Sequence, residues 1–188
     1  IDTTLQQEVV DLDGGRATSP PFDTSLRTGI GAWEPLTWNW SPGSDRIDFL
    51  DTATMARSAV VIPWPRPPVT DSDREAVYER YSGERASAAR ARLPFPDTLP
   101  PIDRMMWDGT GRLWVVHHQG AEAEAAGEPR RAAVLDAEGR WLFDQHLPAV
   151  PDRIEGERFF LNTEDEEGQP VVEVYDLVER DEVEGMGP

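Results

Sequence analysis

Short apolar runs separated by glycine-containing turns set the pattern of this chain. The clearest stretch runs from Pro100 to Pro148, reading PPIDRMMWDGTGRLWVVHHQG, then an Ala/Glu/Gly-rich patch, then RRAAVLDAEGRWLFDQHLP. Two apolar runs flank a turn at Asp108 to Arg112, and two more flank a turn at Asp136 to Arg140. In each turn a glycine precedes the arginine, which is where a hairpin needs positive φ before a strand resumes. The pattern predicts four short antiparallel strands making one complete sheet of ordinary size.

The rest of the chain is read the same way. Glu8 to Arg16 (EVVDLDGGR) predicts a strand and a turn, and Ser19, Pro20 and Pro21 a loop or edge. Gly29 to Trp40 is rich in aromatic residues, with Trp38 and Trp40 on one face under strand alternation and Asn39 opposite. Arg46 to Asp51 (RIDFLD) and Arg57 to Trp64 (RSAVVIPW) predict two further strands. The prolines of Pro63 to Pro68 hold an extended strand exit, a reading preferred over a ligand for an SH3-like partner. Thr70 to Tyr81 predicts a helix: Thr70 can cap it, Asp71 and Asp73 suit its positive end, and Val77, Tyr78 and Tyr81 form one stripe. Gly83 interrupts it, and Ala86 to Arg92 predicts one or two more helical turns. Further on, Arg153 to Thr163 predicts a hairpin about Glu155 to Glu157, and Val171 to Val178 a half-buried strand with Val172 and Val174 set against Glu173 and Tyr175.

A repeat underlies these elements. Apolar strands end in aspartate at Asp11, Asp51, Asp136 and Asp176, in steps of 40, 85 and 40 residues, with arginines following at Arg16, Arg57, Arg140 and Arg180. A period near 40 is that of a four-stranded propeller blade, and the long step is one blade plus an insertion. The expected fold is therefore mainly β, with antiparallel four-stranded blades of a partial β-propeller and one helical insertion. Residues 1–65 read as partial blades, 66–99 as the proline-rich and helical insertion, 100–148 as the complete blade, 149–179 as a partial last blade and 180–188 as an acidic tail.

Charge narrows the choice of partners. Against 36 acidic residues stand 18 cations, all of them arginine, for a net charge of −18. Such a surface is repelled by phosphate backbones and anionic lipid, so nucleic acid and a bare membrane face are poor partners. No cysteine is present, which removes disulfides, thiolate zinc sites and cysteine nucleophiles. No apolar run reaches the roughly 18 residues a membrane helix requires. A start at Ile1 reads as a processed protein, an excised domain or the ordered part of a longer chain.

From about Asp45 to Glu179 the chain resembles the C-terminal half of bacterial six-bladed β-propellers of the NHL/TolB-like kind. The residues that carry the resemblance are RSAVVIPWPRPPVTDSDREAVYERY, LPFPDTLPPIDRMMWDGTGRLWV, AAVLDAEGRWLFDQHLP and VVEVYDLVE. The resemblance implies a ring of about 250 to 350 residues at about 40 per blade. Only three to four blades' worth is here, which leaves strand edges to be covered.

The candidate chemistry is sparse. His117, His118 and His146 are the metal-prone residues, but neighbours on a strand face opposite ways, so the first two need a bulge to share an ion. Calcium-dependent propeller lactonases hold their ion with carboxylates and asparagines, and only Asn39 and Asn162 are available. No serine lies in a G-x-S-x-G context, and Asp165 and Glu166 sit in a turn signal beside Gly168. Met105, Trp107, Leu113 and Val115 are expected between blades, and no catalytic, metal or cofactor residue is assigned. The expected function is a non-catalytic interaction and scaffolding module, a membrane-extrinsic or periplasmic subunit bound to other protein chains of a larger assembly. The alternative is a channel-site hydrolase of the lactonase type. The aromatic residues Trp33, Trp38, Trp40, Trp64, Tyr78 and Tyr81 are the candidate partner-facing or stacking groups.

Overall fold

A computed structural model describes residues 44–165 and 167–176 in full, together with the backbone of short strands at 10–11, 17–18, 27–30 and 36–40. Strand β1 (Val10–Asp11) pairs antiparallel with β2 (Ala17–Thr18). Strands β3 (Arg27–Ile30), β4 (Leu36–Trp40), β5 (Arg46–Asp51) and β6 (Arg57–Val61) pair in chain order as a first antiparallel sheet. A second contains β7 (Ile102–Trp107), β8 (Leu113–His117), β9 (Arg130–Leu135) and β10 (Trp141–Leu147), again in chain order. A third holds β11 (Arg153–Glu155), β12 (Arg158–Glu164) and β13 (Pro170–Asp176). The fold is mainly β, with antiparallel sheets and, among the described residues, three helices: α1 (Asp71–Tyr78), α2 (Gly83–Arg92) and α3 (Ala121–Ala125).

The two central strands of the second sheet, β8 and β9, are buried on both faces. Successive strand residues point to opposite sides, so Leu113 and Val115 of β8 face one way while Trp114 and Val116 face the other. All four are 0–1% exposed. On the first side, Leu113, Val115, Ala133 and Leu135 pack against Ile47, Phe49, Ile62 and Trp64, with Met105 and Trp107 partly buried beside them. On the second side, Trp114, Val116, Ala132 and Val134 pack against Ile154 and Phe159 of the third sheet. Each fully buried side chain of this size contributes about 1.5–3 kcal/mol, so these two interfaces hold the three sheets in series.

The aspartate repeat coincides with the third strand of each of the three larger sheets, while Asp11 ends β1 of the two-stranded pair. Asp51 ends β5, Asp136 follows β9 and Asp176 ends β13. Counting back from these aspartates, Phe49, Val134 and Val174 occupy one equivalent position, and Ile47, Ala132 and Val172 another. In the first two sheets these positions face the next sheet and are 0–2% exposed. In the third they are 53% and 59% exposed, so the half-buried strand expected at Val171 to Val178 is open on its valine face. The face toward the second sheet carries Tyr175, stacked on Phe159 with ring centroids 4.7 Å apart.

The insertion leaves and rejoins the sheets at one place. Strand β6 stops at Val61, short of the expected Trp64, and Ile62 and Trp64 turn into the core beyond it. The proline run is extended: Pro68 bridges Thr98, the Val69 amide donates to the Asp97 carbonyl (3.0 Å) and the Leu99 amide to the Pro67 carbonyl (2.8 Å). Within this neck, the Thr70 hydroxyl accepts from the Asp73 amide and the Asp73 carboxylate accepts from the Thr70 amide, a reciprocal cap. Val77, with Tyr78 and Tyr81 beside it, packs on Ala89, Leu93 and Phe95. Gly83, at φ 57°, starts α2, which runs for 10 residues and exceeds the expected turn or two from Ala86.

The turns at the opposite ends of the strands interlock. Gly139 has φ 79°, and a Cβ added there would stand 2.8 Å from Cε2 of the buried Phe49. Beside it the Ser58 hydroxyl donates to the Glu138 carbonyl (3.2 Å). Gly139→Ala should therefore destabilise the chain by about 2 kcal/mol, through positive-φ strain and overpacking together. Urea unfolding checks this, with a lower midpoint and an unchanged slope expected.

Candidate functional site

Aspartates organise the turn ends of the sheets. The carboxylate of Asp108, wholly buried, accepts from the Thr110 amide and hydroxyl (both 2.8 Å), the Arg112 amide (3.0 Å) and guanidinium (2.6 Å), and the Trp114 indole (3.1 Å). Burial alone would raise its pKa, but the bonds from the Arg112 amide, the Trp114 indole, the Thr110 hydroxyl and the Arg112 guanidinium outweigh it and hold the group below the usual carboxylate range. The same arginine donates to the Gly156 carbonyl (2.9 Å), tying the second sheet to the third. Asp136 repeats the arrangement with the amides of Glu138 and Arg140 and the Arg140 guanidinium, in a more open setting. Asp165 caps the amides of Glu167 and Gln169, while its neighbour Glu166 lies outside the described residues. Each of these carboxylates shapes a turn.

The histidines lie at the opposite end. His117 ends β8, stacks edge-on to Trp64 at 5.0 Å and shares a hydrogen bond of 3.1 Å with the Pro65 carbonyl through Nε2. His118 lies just beyond the strand, within electrostatic reach of Asp103, Arg130, Asp73 and His117. Burial is the main cause that lowers both histidine pKa values, with Arg130 and Arg131 adding to it at His117 and Arg130 at His118. His146 is exposed on β10. No group of three or more metal-ligating side chains gathers among the described residues.

Asp73 is the residue this end depends on. It is 5% exposed, and besides capping α1 it accepts from the Ala121 amide at the start of α3 (2.6 Å). Gly120, next to it, leaves the carboxylate room: a Cβ there would meet Asp73 Oδ1 at 3.3 Å. Burial pushes its pKa up, and the bonds from Ala121 and Thr70, with the charge of His118, bring it below the ordinary range. Sequence reasoning placed Asp73 at a helix start but missed its second helix and the buried Arg130, which pairs with Glu124 at 3.0 Å. The readable signal was the Ala/Glu run itself, which has helix-forming composition.

The aromatic residues expected to face a partner separate into three groups. Trp64 is core, not surface: it is 5% exposed, with Trp141 edge-on at 6.5 Å and the Arg131 guanidinium 5.6 Å from its ring. Tyr78 and Tyr81 are half-buried in the helical insertion, and Arg90 lies 4.7 Å over the Tyr78 ring. Trp33 falls outside the described residues, as do the side chains of Trp38 and Trp40 on β4. Instead, most of the exposed large apolar side chains among the described residues sit on two strands, with Met55 and Val61 of the first sheet exposed apart from them. Trp141, Leu142 and Phe143 are 37–46% exposed on β10, an outer strand of the second sheet that bulges between Trp141 and Phe143. Val172 and Val174 are on β13, an outer strand of the third, with Phe160 opposite Val174.

Comparison with protein families, with curated proteins and with solved structures returns no match. No helix among the described residues is long and apolar enough to cross a membrane.

Asp108→Ala strands four donors and the Arg112 charge around a buried site, so it should cost about 3–5 kcal/mol. Asp136→Ala faces an arginine that is 75% exposed, and should cost about 1 kcal/mol. Denaturant midpoints of the two variants measured side by side check the difference. The pH profile should have two limbs. The neutral histidines of the folded chain stabilise it fully above about pH 6.5, and this stabilisation is lost as the pH falls and the unfolded chain takes up protons. The depressed carboxylates stabilise the fold above their ordinary range, and that contribution disappears only below about pH 4. The double variant His117→Gln/His118→Gln should abolish the first limb in a urea titration between about pH 7 and 5 and leave the second.

Proposed function

We propose that this chain is a β-propeller-type interaction module, non-catalytic in itself, that presents open sheet edges and faces to other protein chains of a larger assembly. One observation carries the reading. Positions equivalent under the aspartate repeat are buried between successive sheets twice over, as Ile47 with Phe49 and as Ala132 with Val134. Serial stacking of meander sheets through such positions is how propeller blades bury their faces. Among the described residues the carboxylates with depressed pKa values have structural partners: Asp51, Asp108 and Asp136 in turns, Asp73 in a cap and Glu75 in an ion pair with Arg90 of the next helix.

The partner surface in this reading is the outer edge of β10. A strand edge bearing Trp141, Leu142 and Phe143 offers unpaired backbone groups and anchoring rings at once, which suits addition of an extended segment from another protein. Chemical cross-linking tests it. With no lysine present, a carboxyl-reactive linker is needed, and the 36 acidic residues supply its sites. After gentle purification from its own cells, cross-links to one partner should fall on Asp144 beside this edge. Leu142→Glu/Phe143→Glu should remove them while leaving the circular dichroism spectrum unchanged. A chain that purifies alone and turns over a lactone would overturn the proposal in favour of the hydrolase.

A further inference from the structure

The exposed valine face of β13 repeats a pattern that is covered in both preceding sheets. In the second sheet, Trp114 opposite Val134 and Val116 opposite Ala132 lie beneath the third sheet. In the third, Phe160 opposite Val174 and Asn162 opposite Val172 occupy the corresponding rows. This face therefore has the residue pattern of one half of such an interface.

The chain carries a surface of that complementary kind. The first sheet turns Ile47 and Phe49 inward, so Arg46, Asp48 and Leu50, with Arg57, Ala59 and Val61 opposite them on β6, form its other face. Arg46, Asp48 and Val61 are more than half exposed there, and Arg46, Asp48, Leu50, Arg57 and Ala59 line an open recess of about 500 Å³. A ridge of Phe160, Val172 and Val174 thus has a hollow to meet. The charges match as well. Arg46 and Arg57 exceed Asp48 by one on the first sheet, whereas Glu155, Glu164 and Asp176 exceed Arg153 and Arg158 by one on the third.

Resting on the interaction-module reading above, we propose that the valine face of the third sheet docks onto the outer face of the first sheet in a second copy of this chain. Two copies joined head-to-tail at both ends place six of these three- and four-stranded sheets in series. That number is within the range of about four to eight at which blade-like sheets close into a ring. Closure consumes both complementary faces, so association stops at two chains instead of continuing as a filament.

Sedimentation equilibrium of the purified full chain tests this, in about 0.3 M salt so that repulsion between two chains of net charge −18 is screened. The expected result is a dimer. Val172→Glu/Val174→Glu and Arg46→Glu/Arg57→Glu alter exposed side chains only, so both should keep the wild-type circular dichroism spectrum and each should weaken association about 100-fold. Mixing the two variants should restore a two-chain complex, because each retains one intact half of the interface. A monomeric wild type, a dimer that survives either double substitution, or a mixture that stays monomeric overturns the proposal. None of these results bears on cross-links at β10, so the failure of self-association remains distinct from failure of the interaction-module reading.

Discussion

A sheet that is apolar on both faces cannot exist alone in water, and the second sheet is such a sheet. Leu113 to Val116 and Ala132 to Leu135 are all buried, four consecutive residues on each of two adjacent strands. An antiparallel sheet with one wet face would alternate polar and apolar residues. Here the alternation is between two apolar interfaces, and the first and third sheets exist in their observed places because they cover them. Small residues at Ala132 and Ala133 let the flanking sheets approach on both sides, while Trp114 fills the space toward the third.

The polar groups of the second sheet secure its ends. At one end Asp108 gathers five hydrogen bonds from a single turn and from Trp114, so the largest side chain of the core is oriented by the same carboxylate that shapes the hairpin. Arg112 extends that unit to the third sheet through Gly156. At the other end Asp73 joins two helix starts, and His117 joins the strand end to the proline neck. Burial makes each of these groups costly to leave unpaired. The two ends differ in their response to acid, because one depends on ionised carboxylates and the other also on neutral imidazoles.

The open surfaces of the molecule continue the same logic. The third sheet keeps the residue pattern of the second on its far side, yet nothing described covers Val172 and Val174. The exposed stretch of β10 arises differently, from a bulge at its start that brings Trp141, Leu142 and Phe143 together at an edge. A repeat that buries a face in two sheets and leaves it open in the third is the observation behind the proposed association, which isolated apolar residues elsewhere would not support.

Much of the local structure was legible in the residues. The hairpin turns at Asp108 to Arg112 and Asp136 to Arg140, the cap at Thr70 and the 40-residue spacing of the aspartates depend on short-range rules: positive φ at glycine, a side-chain oxygen close to a free amide, and strand alternation. What lies between sheets was legible only in part: Leu113 and Val115, with Met105 and Trp107 beside them, were expected there and lie there, but which apolar face meets which was not, because it depends on the whole chain. Trp64 reads in sequence as the end of a strand and a partner-facing ring, and is core because the proline exit turns it against His117 and Arg131. Val172 and Val174 alternate like half-buried residues and are exposed because burial requires a covering sheet. Asp73 looks like one helix cap and serves two, since α3 starts 48 residues later in the chain. By itself the sequence determined strands, turns, caps and their period, all set by contacts within a few residues. Only the tertiary structure decided which faces are core and which remain open, since burial is a property of surfaces brought together across the whole chain.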